Sequence, residues 1–478
     1  MESGTPLAAV VLAAGKGTRM RSDKAKVLHL ACGRPLAAYP VAAALQLGAA
    51  PVVAVVGHQA QAVEKTLRDH FPGKPLSFAL QAEQLGTAHA VLCAKEALAA
   101  QGFAEKGRVL ILYGDVPLVR EETLQKLLDA HANSGSPLAL LTMRPPTSRG
   151  YGRIVRDAQG GVQRIVEEKD ATDAERTIGE CNAGIYVAEA SFLWKALAAT
   201  SSKNAQGEFY LTDLVAAASG LARDRLAAAP VALEVSHTEV AGVNDRAELA
   251  QLSQELRRRK LEALMRSGVT VLDPERTWID DSVEVAEDAT LFPGCALHGK
   301  TKIGKGVEVG HGVVVIDSQI ADGARVLAYS HLEQAEVGPR CVVGPFARLR
   351  PAAVLKEDSH VGNFVELKKT TLGKGSKANH LAYLGDAVIG DKVNIGAGTI
   401  TCNYDGEKKF QTVIEDSAFI GSDTQLIAPV TVHAGAYVGT GTTVREDVPA
   451  GALAVSAGKQ RNIEGWVAKK KAAKKDSK

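Results

Sequence analysis

The second half of the chain repeats every six residues, and no other feature restricts its architecture so sharply. Aliphatic side chains recur at Ile279, Val285, Leu291, Leu297, Ile303, Val309 and Val315. Two five-residue steps, through Ile320 and Val337, interrupt the series before it resumes as Val343, Leu349, Leu355, Val361 and Leu367. A third block runs Ile414, Ile420, Leu426, Val432, Val438 and Val444. A helix would repeat at about 3.6 residues and a half-buried strand at about two. One inward aliphatic in six describes a hexapeptide β-helix with three short strands per coil, and about 170 residues at roughly 18 per coil give nine or ten coils. Gly follows many of these positions, as in Ile303-Gly304, Val309-Gly310, Val361-Gly362, Ile395-Gly396, Ile420-Gly421 and Val438-Gly439. The expectation is that each lets the chain turn after its strand.

Up to about Asn244 the pattern is different. Continuous apolar runs at Ala8–Leu12, Val52–Val56 and Val109–Leu112 alternate with helical stretches such as Ala60–Arg68, Ala88–Ala99 and Glu122–Ala130. That alternation predicts an α/β domain with a mostly parallel sheet covered on both faces. Ligands of such sheets lie beyond the carboxyl ends of the strands. From Asp245 to about Ser267, Leu249, Leu252, Leu256 and Leu264 share one side of a polar helix, and Arg257 to Lys260 read as its solvated face. The expected division is residues 1–244, a linker helix at 245–268, the β-helix at 269–456 and a basic tail at 457–478.

Composition bounds the partners. With 46% hydrophobic and 23% charged residues, the chain has the material for ordinary globular cores. The net charge of +2 includes a tail, Lys469–Lys478, with six Lys against one Asp, so the body is slightly acidic. Such a body shows no footprint for nucleic acid, and the tail is expected to be solvated and disordered. The six cysteines (Cys32, Cys93, Cys181, Cys295, Cys341 and Cys402) include no Cys-x-x-Cys pair and read as reduced cytoplasmic thiols. Pro35–Gly57 carries no charge in 23 residues, but Pro40, Gly48 and Pro51 break it, so no membrane span is expected. Glu2 and the lack of a basic run at the start argue against a secretory leader.

Two glycines follow the first strand in Leu12-Ala13-Ala14-Gly15-Lys16-Gly17-Thr18-Arg19-Met20. They let backbone N–H groups approach an anion, while Lys16, Arg19 and Lys26 bring charge to neutralise it. Met20 replaces the third Gly of a dinucleotide fingerprint and no Gly-Lys-Ser/Thr follows, so neither a dehydrogenase nor a P-loop ATPase is indicated. The strand Val109–Leu112 ends in Tyr113-Gly114-Asp115, a carboxylate at the same sheet edge. Alone it would serve equally as a turn or cap residue; beside the cradle it suits Mg²⁺ held by one carboxylate and phosphate oxygens. In the β-helix, Arg350, Lys368, His380, Tyr383, Asn394, Asn403 and Tyr404 are large functional groups where small corner residues are the rule, and a loop from Cys402 to Thr412 breaks the period.

These segments carry a resemblance, together with Gln81-Ala82-Glu83-Gln84-Leu85-Gly86-Thr87, Tyr151-Gly152-Arg153, Ile165-Val166-Glu167, Asn182-Ala183-Gly184-Ile185-Tyr186, Gly242-Val243-Asn244 and Lys377-Ala378-Asn379-His380-Leu381-Ala382-Tyr383-Leu384-Gly385-Asp386. In order, they resemble the family of bacterial bifunctional N-acetylglucosamine-1-phosphate uridylyltransferases/glucosamine-1-phosphate acetyltransferases, over nearly the whole chain. The resemblance implies a Rossmann-like nucleotidyltransferase domain followed by a left-handed parallel β-helix. That handedness departs from the usual right-handed crossover.

The resemblance also implies roles. Leu12, Ala13, Ala14, Gly15, Gln81, Gly86 and Thr87 would hold the uracil and nucleotide of UTP, with Tyr113 and Gly114 beside them. Gly152, Glu167 and Asn182 would hold the amino sugar, Asp115 and Asn244 would ligate Mg²⁺, and Arg19 and Lys26 would serve the phosphates. In the β-helix, His380 would be the general base, oriented or polarised by Glu366, with Arg350, Lys368, Tyr383 and Asn394 on glucosamine-1-phosphate. Ala397, Asn403, Tyr404, Ser422 and Thr440 would line the acetyl-CoA groove, the Ser422 hydroxyl facing the developing oxyanion. Two positions depart from the family: Ala457 stands where an Arg commonly meets the CoA phosphates, with Lys459 nearby, and Thr440 stands where Ala is common. The implied enzyme is a cytoplasmic homotrimer, assembled through its β-helix, that makes UDP-N-acetylglucosamine for cell-wall and lipopolysaccharide synthesis. Two alternatives are a single-activity sugar-1-phosphate nucleotidyltransferase with a structural or regulatory β-helix, and a non-catalytic assembly protein.

Overall fold

The computed structural model describes residues 5–103, 106–456, 458, 460 and 462–475. Ala457 and Lys459, the positions at issue for the CoA phosphates, lie outside them. The chain divides into two compact units, one ending at Arg257 and the other beginning at Arg258.

In the first unit the β-branched runs are buried strands. The main path of its sheet runs Val231–Val235, Leu138–Met143, Cys181–Glu189, Arg108–Tyr113, Leu7–Ala13, Val52–Val56 and Leu76–Leu80. Every pairing along it is parallel except those of Cys181–Glu189, which is antiparallel to both neighbours. Alternate side chains of the first strand feed two cores: Ala9 and Val11 face one, Ala8 and Val10 the other. This is the outcome for a sheet covered on both faces. The expected helices are present as Ala60–His70, Thr87–Ala100 and Glu121–Ser134. The uncharged stretch from Pro35 resolves into the helix Ala38–Gln46 and the strand Val52–Val56, and no helix among the described residues is long and apolar enough to cross a membrane.

The helix Arg246–Arg266 contributes Leu252 to a small core of the first unit and Leu261 and Leu264 to the core of the second.

The second unit is a left-handed β-helix. Its strands, two to four residues each, stack into parallel ladders of eleven, ten and nine. The hexad aliphatics fill its axis: of the residues named from the sequence only Val285 is partly exposed, and it still packs against that core. Burying each such side chain stabilises by about 1.5–3 kcal/mol. Small polar residues complete the interior by bonding to the next coil. Ser318 Oγ donates to the Ile316 carbonyl and accepts from the Ala335 amide at 3.0 Å.

The glycines after the aliphatics serve a purpose other than the expected one. Gly396 and Gly421 do not adopt left-handed backbone. A Cβ on Gly396 would come within 2.5 Å of the Gly421 carbonyl carbon, and one on Gly421 within 2.6 Å of the Thr440 amide. Close approach of successive coils demands Gly there, while the left-handed corner comes later, at Gly398 or at non-glycine residues such as Asp423. In the basic tail the side chains of the described residues, among them Trp466 to Lys470, are exposed, and Trp466–Lys475 is helical where disorder was anticipated; residues 476–478 lie outside the described residues.

Candidate active sites

The glycine loop, Asp115 and Asn244 meet at the carboxyl edge of the first unit's sheet. Leu12 pairs with Tyr113, so the loop after one strand and the Gly114-Asp115 turn after its neighbour emerge side by side. The Gly114 amide donates to the Leu12 carbonyl at 2.8 Å and fixes that turn. Gly17 is left-handed, at φ +63°, and packs against the Lys26 side chain, leaving no room for a Cβ. Lys26 forms an ion pair with Asp115, both side chains mostly buried. Arg19 Nη2 donates to Asn244 Oδ1 at 2.8 Å, and the Asn244 amide donates to Glu248 at 2.6 Å. Arg19 and Lys26 are thus each held beside one of the two expected metal-binding side chains, whereas Lys16 lines neither of the two cavities that Asp115 borders.

Two adjoining cavities share Thr87, Tyr113, Asp115 and Glu208. The smaller, about 330 Å³, is lined by Leu12, Ala14, Gly15, Lys26, Gln81 and Gly86 among others. The larger, about 520 Å³, takes in Arg19, Gly152, Glu167, Asn182 and Asn244. Asp115 therefore stands at the junction of the two cavities. Ala13 and Gly114 are buried and line neither cavity. Gly86, at φ +112°, carries its loop so close to the backbone of Phe209 that a Cβ would lie 2.5 Å from the Phe209 carbonyl oxygen.

Glu167 accepts from the Thr212 hydroxyl at 3.0 Å, and burial raises its carboxyl above the ordinary range, the Thr212 bond partly opposing the shift. Burial, reinforced by Glu167 and Asp115, also raises the Tyr113 phenol and keeps it neutral. The Asn182 Oδ1 accepts from the Gly184 amide at 2.9 Å, which aims the amide group. Thr212, Tyr210 and Gln206 complete the wall and were not anticipated, because nothing in their local sequence marks them.

On the β-helix the second set of residues is ordered by coil register. Leu349 pairs with Leu367, so the residues that follow them, Arg350 and Lys368, stand one above the other. Asp386 lies 4.0 Å from Lys368 and accepts from Asn403 Nδ2 at 2.5 Å. Glu366 pairs in register with Tyr383 and accepts from Arg350 at 2.9 Å, which raises the Arg350 guanidinium. Within the chain Glu366 thus holds Arg350, and the partner of His380 is Asn363, with Nδ1 and Oδ1 2.9 Å apart. Asn394 extends the ladder of His380, pairing with Lys377.

Ala397, Ser422 and Thr440 occupy one corner on successive coils: the Asp423 amide donates to Ala397 at 2.7 Å and the Gly441 amide to Ser422 at 2.9 Å. Tyr404 is exposed on the loop that lengthens the coil from 17 or 18 residues to 25. That loop also carries Lys409, which the sequence reading missed. Its ammonium is lowered chiefly by Lys368 beside it, an arrangement of like charges that an anion between them would relieve.

Comparison with known proteins places both halves. Residues 9–267 match the MobA-like NTP transferase domain, and residues 279–371 match the GMPPB C-terminal domain. A bifunctional protein GlmU of Anaeromyxobacter sp. (strain Fw109-5) is 57% identical over 470 residues, covering 98% of this chain and 94% of the relative. Those of Pelobacter propionicus and Geobacter sulfurreducens are 52% and 47% identical, covering 96% and 97% of this chain and 98% and 99% of the relatives. With identities of this size running through both units, the chain belongs to the bifunctional GlmU family.

Proposed function

We propose that the chain makes UDP-N-acetylglucosamine in two steps, acetylating glucosamine-1-phosphate on its β-helix and uridylylating the product in its α/β unit. The observation that carries this reading is that each unit gathers its own set of chemically matched groups, around Asp115 in one and around Arg350, Lys368 and His380 in the other.

For acetyl transfer the amine of glucosamine-1-phosphate attacks the thioester carbonyl of acetyl-CoA. His380 takes the amine proton as the C–N bond forms, the C–S bond breaks, and the proton passes from His380 to the departing sulfur so that CoA leaves as the thiol. Asn363 supports this role: its Oδ1 accepts from the Nδ1–H tautomer and leaves Nε2 as the free base. Arg350, Lys368 and Lys409 supply charge for the sugar phosphate, with Tyr383 and Asn394 beside it. Ala397, Asn403, Tyr404, Ser422 and Thr440 form the acetyl-CoA side.

For uridylyl transfer a phosphate oxygen of N-acetylglucosamine-1-phosphate attacks the α-phosphorus of UTP, the bond to the β-phosphate oxygen breaks and pyrophosphate leaves. The residues position the two substrates in line and spread the charge. Leu12, Ala14, Gly15, Gln81, Gly86 and Thr87 face the nucleotide; Gly152, Glu167 and Asn182 face the sugar; Arg19 and Lys26 serve the phosphates. Asp115 and Asn244 offer a carboxylate and an amide oxygen to one cavity, hard donors of the kind Mg²⁺ takes one or two at a time alongside phosphate oxygens. When bound, Mg²⁺ neutralises phosphate charge.

We further place the enzyme in the cytoplasm, consistent with six free cysteines, and as a homotrimer through the β-helix. The trimer is supported by an exposed apolar column at one corner. Tyr329, Phe346 and Phe364 stack with ring centroids 5.4 Å apart, and Leu381, next to His380, continues the column. Exposed contiguous apolar surface of this kind marks an interface.

The test is mass spectrometry of the products formed from glucosamine-1-phosphate, acetyl-CoA, UTP and Mg²⁺, with each omitted in turn. UDP-N-acetylglucosamine from the full mixture, and only N-acetylglucosamine-1-phosphate without UTP, is expected. Uridylylation of supplied N-acetylglucosamine-1-phosphate without any acetylation would reduce the β-helix to a scaffold.

A further inference from the structure

Gln81 follows the strand Leu76–Leu80, is 5% exposed and lines the smaller cavity. Its amide nitrogen Nε2 donates to the Gly86 carbonyl at 3.1 Å and lies 3.2 Å from Nδ1 of His89. A carbonyl only accepts, so the Gly86 contact determines which end of the amide is nitrogen. Nε2 carries two hydrogens. With one on Gly86, the second reaches His89 when the ring holds its proton on Nε2 and leaves Nδ1 as a lone pair. The far side of the ring accommodates that tautomer without selecting it: Nε2 faces Sγ of Cys93 at 3.9 Å, and a thiol can accept as well as donate. Burial pushes the Cys93 thiol up, so the sulfur there is neutral and a weak acceptor.

We infer that His89 is a positioning residue for nucleobase selection: through Nδ1 it engages the second amide hydrogen of Gln81 and leaves Oε1, which only accepts, as the group Gln81 offers to a bound base. The inference rests on the reading of this cavity as the nucleotide site. Uracil carries a ring donor, N3–H, where cytosine carries a lone pair, so an accept-only side chain favours the first and repels the second. The residues that line the cavity then owe part of their selectivity to a side chain behind Gln81. Discrimination between polar groups is strong where a site's own polar groups cannot rearrange, and His89 with Gly86 prevents the amide from flipping.

The experiment compares UTP with CTP in uridylyl transfer by the full chain. His89→Leu is expected to lower the UTP/CTP ratio of kcat/KM by about tenfold, equivalent to about 1.4 kcal/mol, through a higher KM for UTP. The KM for N-acetylglucosamine-1-phosphate and the rate of acetyl transfer should stay unchanged. His89→Asn, whose Oδ1 supplies an acceptor in place of Nδ1, should restore most of the ratio. Selective ¹⁵N-histidine labelling gives a reading independent of activity: two-bond ¹H–¹⁵N correlations should show His89, assigned by its loss in His89→Asn, as the Nε2–H tautomer. An unchanged ratio in folded His89→Leu, or a ring protonated on Nδ1, overturns the inference. If His89→Leu does not fold, the His89→Asn ratio and the tautomer decide. Absence of uridylyl transfer by the unmodified chain would overturn the functional reading itself, and the tautomer, read without substrate, tells that failure apart from failure of the His89 inference.

Discussion

Nδ1 of His380 lies 2.9 Å from Oδ1 of Asn363, its in-register neighbour on the preceding coil. The β-helix makes such a pair exact in direction because each coil repeats the path of the last. An amide oxygen there selects one tautomer of the imidazole and turns Nε2 outward, which is what a general base for an attacking amine needs.

Replacing Asn363 removes the orientation and keeps the base. Asn363→Ala should lower kcat for acetyl transfer about tenfold, with little change in KM for glucosamine-1-phosphate and none in uridylyl transfer. Steady-state kinetics of the two half-reactions check this; a raised KM with unchanged kcat would make Asn363 a substrate contact.

Lys409 sits on the loop that lengthens its coil to 25 residues, and Lys368, at the end of the strand Glu366–Lys368, is the chief cause of its lowered ammonium. If both ammonium groups face the same phosphate, Lys409→Met should raise KM for glucosamine-1-phosphate about tenfold, the cost of one charge-assisted hydrogen bond. Titration with the sugar phosphate at fixed acetyl-CoA measures it.

Glu167 connects function to stability. Burial raises its folded-state carboxyl above the unfolded value, so over the interval between the two the folded chain binds more protons than the unfolded one. Stability therefore falls as pH rises from the ordinary carboxylate range through the raised value. Glu167→Gln, which keeps an acceptor for Thr212, should abolish that dependence, leave the unit more stable by about 0.5–2 kcal/mol at neutral pH, and weaken sugar binding. Thermal melts across pH, paired with KM for N-acetylglucosamine-1-phosphate, report both effects.

The β-helix was legible because one side chain in six must enter a narrow axis, and Leu297, Val315 and Leu349 have no other place to go. The sheet was legible for a similar reason, since Val52–Val56 is buried along its whole length and carries no polar residue. What the sequence concealed were relationships set by register. Asn363 is 17 residues before His380, and only the coil length brings them together. Thr212 reaches Glu167 from 45 residues away through the packing of the helix Asp213–Arg223 on the strand Val162–Val166. The same blindness assigned Gly396 to a turn, when the neighbouring coil is what excludes a side chain. The tail was read from charge alone, and Trp466 with Lys470 over its ring forms part of a helix there.

The central claim is that the two activities reside in separate units of one chain. Its most direct test is to assay both half-reactions in His380→Ala and Asp115→Ala. His380→Ala is expected to lose acetyl transfer by about 10² to 10⁴ and keep uridylyl transfer, with Asp115→Ala doing the converse. Equal loss of both activities in either folded variant would contradict it.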